Sequence, residues 1–165
     1  MKILEWNWDA FEWSWELILD NNLPDQNLIT SVVSCCFYWD NILLTKNSRW
    51  WELAWWHIEK SEDIVQALHR EVKEEVWADI ISEKYIWYYK IKPYKPIQKK
   101  DWDYYPFPYS YIPFYLCECD NIQEFTWEEI LDTKILKLSE IDNFNFINRK
   151  SVKLLLNYRQ WKNSQ

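Results

Sequence analysis

Five charged residues between positions 62 and 75 are arranged as chemistry would need them: Glu62, Arg70, Glu71, Glu74 and Glu75. A helix is predicted over about Asp63 to Val76. On it Glu71, Glu74 and Glu75 are related by i, i+3 and i+4, so three carboxylates share one face. Ile64, Val65, Leu68 and Val72 fall largely on another face and are expected to bury against a sheet. Three crowded carboxylates repel one another. A hard divalent cation resolves that repulsion, and an oxygen-rich site of this kind suits Mg²⁺ or Mn²⁺.

The order of these charges carries a resemblance. The stretch resembles the Nudix box, Gly-x5-Glu-x7-Arg-Glu-U-x-Glu-Glu-x-Gly-U, where U is a bulky aliphatic residue. Here it runs from Trp56 through Glu62, Arg70, Glu71, Val72, Glu74 and Glu75 to Trp77 and Ala78. Every charged position matches, Val72 fits the first U, and Ala78 is a small version of the second. Both glycine positions hold tryptophan. At roughly 6% frequency for each charged residue type, five such matches arise by chance about once in a million starting positions. The competing reading is a solvated acidic helix held by i,i+4 pairs.

The resemblance implies an α/β (α+β) fold, a Nudix-like mixed β-sheet sandwiched between helices. It implies metal-dependent attack of water on a phosphorus of a nucleoside diphosphate linked to another group, a small-molecule nucleotide substrate. By the family pattern, Glu71, Glu74 and Glu75 bind Mg²⁺ (or Mn²⁺), with the main-chain carbonyl of Trp55 as a further ligand. Arg70 holds the carboxylates and Glu62 pairs with Arg70. Glu74 is the expected base. Some proteins similar in fold bind ligands without turning them over, but those typically lose the box carboxylates, and here all remain.

The 165 residues include 14 tryptophans and no glycine, where about 12 glycines are usual. Several tryptophans sit where glycine belongs. Trp77 follows the predicted helix, at a position that favours a left-handed residue. Trp39 lies in the connection Trp39-Asp40-Asn41 between two strand-like runs. Trp55 and Trp56 are expected in a loop that must approach a metal or phosphate closely, and Trp102 lies between two aspartates in a polar loop. A gene in which UGA encodes glycine, written with tryptophan for that codon, would produce this pattern. Such a gene must also use almost no standard glycine codons. Trp51 is expected to be a true tryptophan.

One domain spanning 1–165 is expected from the length. Residues 11–19 read as a strand or a short helix. Leu28 to Tyr38 reads as a strand buried on both faces, with Ile42 to Thr45 as its hairpin partner. Trp51 to Ala54 reads as a short strand leading into the box loop. Asp79 to Lys92 is a long strand or a bent pair, followed by a basic loop from Lys92 to Asp103. Tyr109 to Cys119 is a strand in which Pro113 argues for an edge or a bulge. Thr133 to Leu138 is a further strand, and Ser139 an N-cap for a helical turn through Ile141. Asn148 to Trp161 is an amphipathic helix expected to cover the sheet.

The net charge of −7 argues against a nucleic-acid partner. No apolar run approaches a membrane span and the N-terminus lacks a signal-peptide pattern, so cytoplasmic residence is the default. His57 reads as a solvated loop residue and His69 as a surface helix residue. Cys35 and Cys36 are adjacent and so point to opposite faces of a strand, which argues against one four-thiolate site with Cys117 and Cys119; buried, reduced thiols are expected. Lys90, Lys92, Lys95, Lys99 and Lys100 form a basic run suited to polyphosphate or to solvent. Tyr104, Tyr105, Phe107, Tyr109 and Tyr111 suit either stacking on a base or packing of an edge strand.

Overall fold

The computed structural model describes residues 1–8, 13–96, 106–123 and 132–163. In chain order these form β1 (Lys2–Trp8), β2 (Trp13–Ile18), β3 (Ser31–Tyr38), β4 (Asn41–Lys46), β5 (Trp51–Glu52), β6 (Ala54–His57), α1 (Ile64–Val76), β7 (Asp79–Pro93), β8 (Ser110–Asp120), β9 (Asp132–Lys137) and α2 (Arg149–Asn163). Lys99, Lys100, Trp102, Tyr104 and Tyr105 lie outside the described residues.

The strands make one mixed sheet in the order β1-β2-β7-β8-β3-β4-β5, with β6 on β3 and β9 on β4. The β3–β8 pair is parallel, Cys36 lying opposite Cys117. The other strand pairs are antiparallel. The two helices cover opposite faces. Ala67, Leu68, Val72 and Val76 of α1 join Val32, Cys36 and Cys117 in one core cluster. Val152 and Leu155 of α2 join Val33, Phe37 and Phe114 in the other. Alternate residues of β3 therefore enter different cores, which is why seven of its eight residues are buried. The expected sheet between helices is what forms.

Several expectations need correction. Lys2–Trp8, which carried no strand reading, is β1 and pairs with β2. Residues 13–18 of the ambiguous segment are strand rather than helix. Tyr109 to Cys119 is not an edge: β8 lies between β7 and β3. Pro113 pairs with Tyr88 of β7 and is tolerated because the ladder to β3 begins only at Phe114; the β7 bulge between Tyr85 and Trp87 lies next to it, opposite Tyr115 and Phe114. A missing N–H costs nothing where no ladder bond is due. Trp55 and Trp56 are in extended strand β6, opposite Val33 and Val32, rather than in a loop. The turn Leu138–Glu140 is a 3₁₀ helix with Lys137 at its N-cap, and Ser139 caps nothing.

Candidate active site

Helix α1 starts where its sequence says it should. The Asp63 carboxylate accepts from the Gln66 N–H at 2.8 Å, and the Gln66 side-chain oxygen accepts from the Asp63 N–H at 3.0 Å. This capping box satisfies two donors that the first turn otherwise leaves without partners. At the other end Trp77 adopts φ 56°, ψ 35°, a left-handed C-cap. The buried stripe is shifted from the expected one. Val65 is 42% exposed, whereas Ala67, Leu68, Val72 and Val76 are buried. Glu71 and Glu75 lie on that same buried side, at 3% and 6% exposure.

Arg70 joins four elements of the box. Its Nε and Nη2 donate to the two oxygens of Glu62 at 2.5 and 2.8 Å. Its Nη1 donates to Glu71 and, at 3.1 Å, to Glu74. Its Nη2 also reaches the main-chain carbonyl of His57 at 3.5 Å. Glu62 precedes the helix, so the forked pair folds the approach loop back onto the helix side. The guanidinium holds the Glu62 carboxyl below the usual carboxylate range.

Burial dominates at the other two glutamates. Desolvation pushes Glu71 up to about 8 against the opposing pull of Arg70. Desolvation and the neighbouring Glu71 charge push Glu75 well above its ordinary value, although the Trp55 N–H donates to it at 3.0 Å. Two buried carboxylates that repel each other are a poor fit to a site without a cation and a good fit to one with a divalent ion. Among the described residues no three acidic, histidine or cysteine side chains already converge as a cation cage. Arg70 holds Glu74 and one oxygen of Glu71 in ion pairs. Trp55, on β6 beside Glu75, brings its backbone to the same place.

His57 is on strand β6 rather than in a loop and meets the centre through its main-chain carbonyl, whereas His69 faces Glu83 of β7 at 3.5 Å. Cys36, Cys117 and Cys119 share the α1 face and Cys35 lies on the other, all of them buried and outside any disulfide. Lys92 pairs with Glu16 at 2.9 Å, and Lys90 lies 4.2 Å from the Tyr109 ring centre. Tyr109 and Tyr111 pack on each other at 5.5 Å.

Two features have no counterpart in the sequence reading. Glu52 is a largely buried carboxylate close enough to Glu75 to raise its pKa. It accepts from the Asn47 side chain and from Trp50 Nε1 at 2.9 Å. A charge flanked by Trp51 and Leu53 in a short strand was the available signal. On the opposite face, a cavity of about 430 Å³ lies between Trp15, Trp55, Tyr89, Asn148 and Ser151. Asn148 accepts from the Leu53 N–H at 3.1 Å, and the Tyr89 hydroxyl donates to Ser151 at 2.6 Å. A polar residue directly before a helix marked Asn148, but only the fold brings it to β5–β6.

A model of the NUDIX domain matches residues 29–155, well over half of the chain. The chain belongs to the NUDIX family. Membership, with all five box charges in place, makes it a Nudix hydrolase. Among solved structures, a mutant of the Bacillus subtilis pyrophosphohydrolase BsRppH is similar over 98% of each chain, with TM-score 0.68 and 23% identity. MutT, from a study of the Aliivibrio salmonicida and Vibrio cholerae proteins, matches over 79% of this chain and 98% of its own, with TM-score 0.55 and 22% identity. The NUDIX domain of Shewanella oneidensis NrtR, complexed with ADP ribose, matches over 84% of this chain and 90% of its own, with TM-score 0.59 and 13% identity. These likenesses are of fold. No curated protein matches the chain in sequence. Among the described residues no helix is long and apolar enough to cross a membrane.

Proposed function

We propose that this Nudix hydrolase is a pyrophosphohydrolase that cleaves a nucleoside diphosphate linked to another group. Water attacks a phosphorus of the pyrophosphate. Glu71, Glu74, Glu75 and the main-chain carbonyl of Trp55 would hold a divalent ion, Mg²⁺ or Mn²⁺. The reading is carried by the paired, buried Glu71 and Glu75, whose crowded carboxylates a divalent cation would stabilise beyond what Arg70 and the Trp55 N–H supply. When bound, such an ion neutralises phosphate charge and makes the phosphorus easier to attack.

The chain's own residues divide the remaining work. Arg70 orients Glu71 and Glu74, and Glu62 orients Arg70. Glu74 is the most exposed of the three helix carboxylates, which supports it as the group that takes a proton from water. The aromatic walls of the cavity at Trp15, Trp55 and Tyr89 suit the base end of a nucleotide. Trp55 links the two places, with its N–H on Glu75 and its ring in the cavity.

The test is release of product from a panel of nucleotide pyrophosphates with Mg²⁺ titrated in. Glu74→Gln and Glu75→Gln should each lose orders of magnitude in rate with the fold retained. Unchanged Mg²⁺-dependent turnover in both would refute the assignment. The alternative is a binding role without turnover, in which the cavity lined by Trp15 and Trp55 holds the ligand. Saturable nucleotide binding with no product from any panel member would support it.

A further inference from the structure

Among the described residues, positive φ occurs at Trp39, Trp77 and Asn121. Asparagine tolerates the left-handed region, whereas a bulky side chain there is a genuine outlier. Two such outliers are both tryptophan, in a chain with 14 tryptophans and no glycine.

Each has a local reason to be glycine. Trp39 is the first of two residues joining β3 to β4, between the paired Tyr38 and Asn41. In two-residue hairpins the turns that match strand twist place positive φ there, and glycine supplies it without a Cβ clash. The Trp39 side chain is 81% exposed, so packing offers little to offset the backbone cost. Trp77 ends α1 with φ 56°, ψ 35°, the site at which helices most often carry glycine. Its carbonyl accepts from the Gln123 N–H at 2.9 Å, so the chain path there is also tied from outside the helix. By contrast Trp51 lies in extended strand, edge-on to Phe144 at 5.8 Å, with Lys46 over its ring. That is a tryptophan's environment.

We propose that positions 39 and 77 are glycine in the protein as its own cells make it. The tryptophan written at each then represents a UGA codon that the source decodes as glycine, while Trp51 is a true tryptophan. The backbone selects these two sites without reference to the box motif or to the reaction.

The test is mass spectrometry of the protein isolated from its source. Trypsin releases the peptide Glu74–Lys84, which contains position 77 and no other tryptophan. Fragment ions should read glycine at 77; tryptophan there overturns the proposal. Recombinant protein with the written sequence provides the second readout. Trp39→Gly and Trp77→Gly should each raise Tm by roughly 2–4 °C, as expected for relieving left-handed strain at one residue in a chain of this size. An unchanged or lowered Tm in both overturns the backbone argument. Neither readout depends on activity, so a failure here leaves the proposed reaction standing, and the reverse.

Discussion

Arg70 serves Glu62, Glu71 and Glu74 at once, and only a guanidinium has the donors to do so in one plane. Arg70→Lys keeps the charge but not the fork. Activity or Mg²⁺ affinity should fall roughly 10–100-fold, as for other groups that orient metal ligands, and a Mg²⁺ titration of turnover measures it. The raised pKa values of Glu71 and Glu75 have a consequence for stability. Between about pH 4.5 and 8 the unfolded chain loses the Glu71 proton while the folded one keeps it, and the raised Glu75 acts in the same direction. The folded state then binds more protons, so stability falls as pH rises, by at most about 1.4 kcal/mol per pH unit for each group. Below that window both states are protonated and nothing is lost. In a chelator, Tm should fall from pH 5 to 8 more steeply for the wild type than for Glu75→Gln, and Mg²⁺ should flatten the wild-type curve. Parallel curves in chelator would contradict the burial of an ionisable Glu75.

At the scale of the element, α1 is 13 residues long, a length marginal for an isolated helix in water. Its capping box contributes about 1 kcal/mol, whereas its buried stripe contributes several times that. Asp63→Ala should therefore cost about 1 kcal/mol. Leu68→Ala, at a side chain 1% exposed, should cost about 2–5 kcal/mol. Denaturant unfolding of both variants compares them, and a larger loss at Asp63 would mean that capping rather than packing seats the helix. The helix was legible because its cap residues, its charges and its period are local signals. Its orientation was not. Val65 looked as apolar as Val72, but the α1 axis turns it to solvent and brings Glu71 and Glu75 inward. Burying two carboxylates runs against the usual ranking of residues, so no hydrophobic pattern announces it.

Across the whole molecule, the sheet separates two compartments. Carboxylates and α1 lie on one face; the cavity and the start of α2 lie on the other. Asn148 ties α2 to β5–β6 through the Leu53 N–H. Asn148→Ala leaves that donor without its partner and should cost about 1–3 kcal/mol. If the cavity holds the base end of the substrate, KM should rise in this variant more than kcat falls. Steady-state kinetics on the best panel substrate distinguishes this from a purely structural loss, which would lower the amount of folded enzyme and leave KM unchanged.

What the sequence determined by itself was the set of charges, the helix that carries them, and the strands whose residues are apolar in a run or in alternation: β3, β4, β7, β8 and β9. These follow from spacing along one chain, which is local. The tertiary structure alone decided the central place of β8 despite Pro113, the addition of β1 at the edge, and the strand conformation of Trp55 and Trp56. It also decided that the Trp55 N–H meets Glu75, that Glu52 stands behind them, and that Asn148 reaches Leu53. Each of those contacts joins residues distant in sequence. Their geometry depends on strand order and on which face each helix covers, and no spacing within a single segment encodes either.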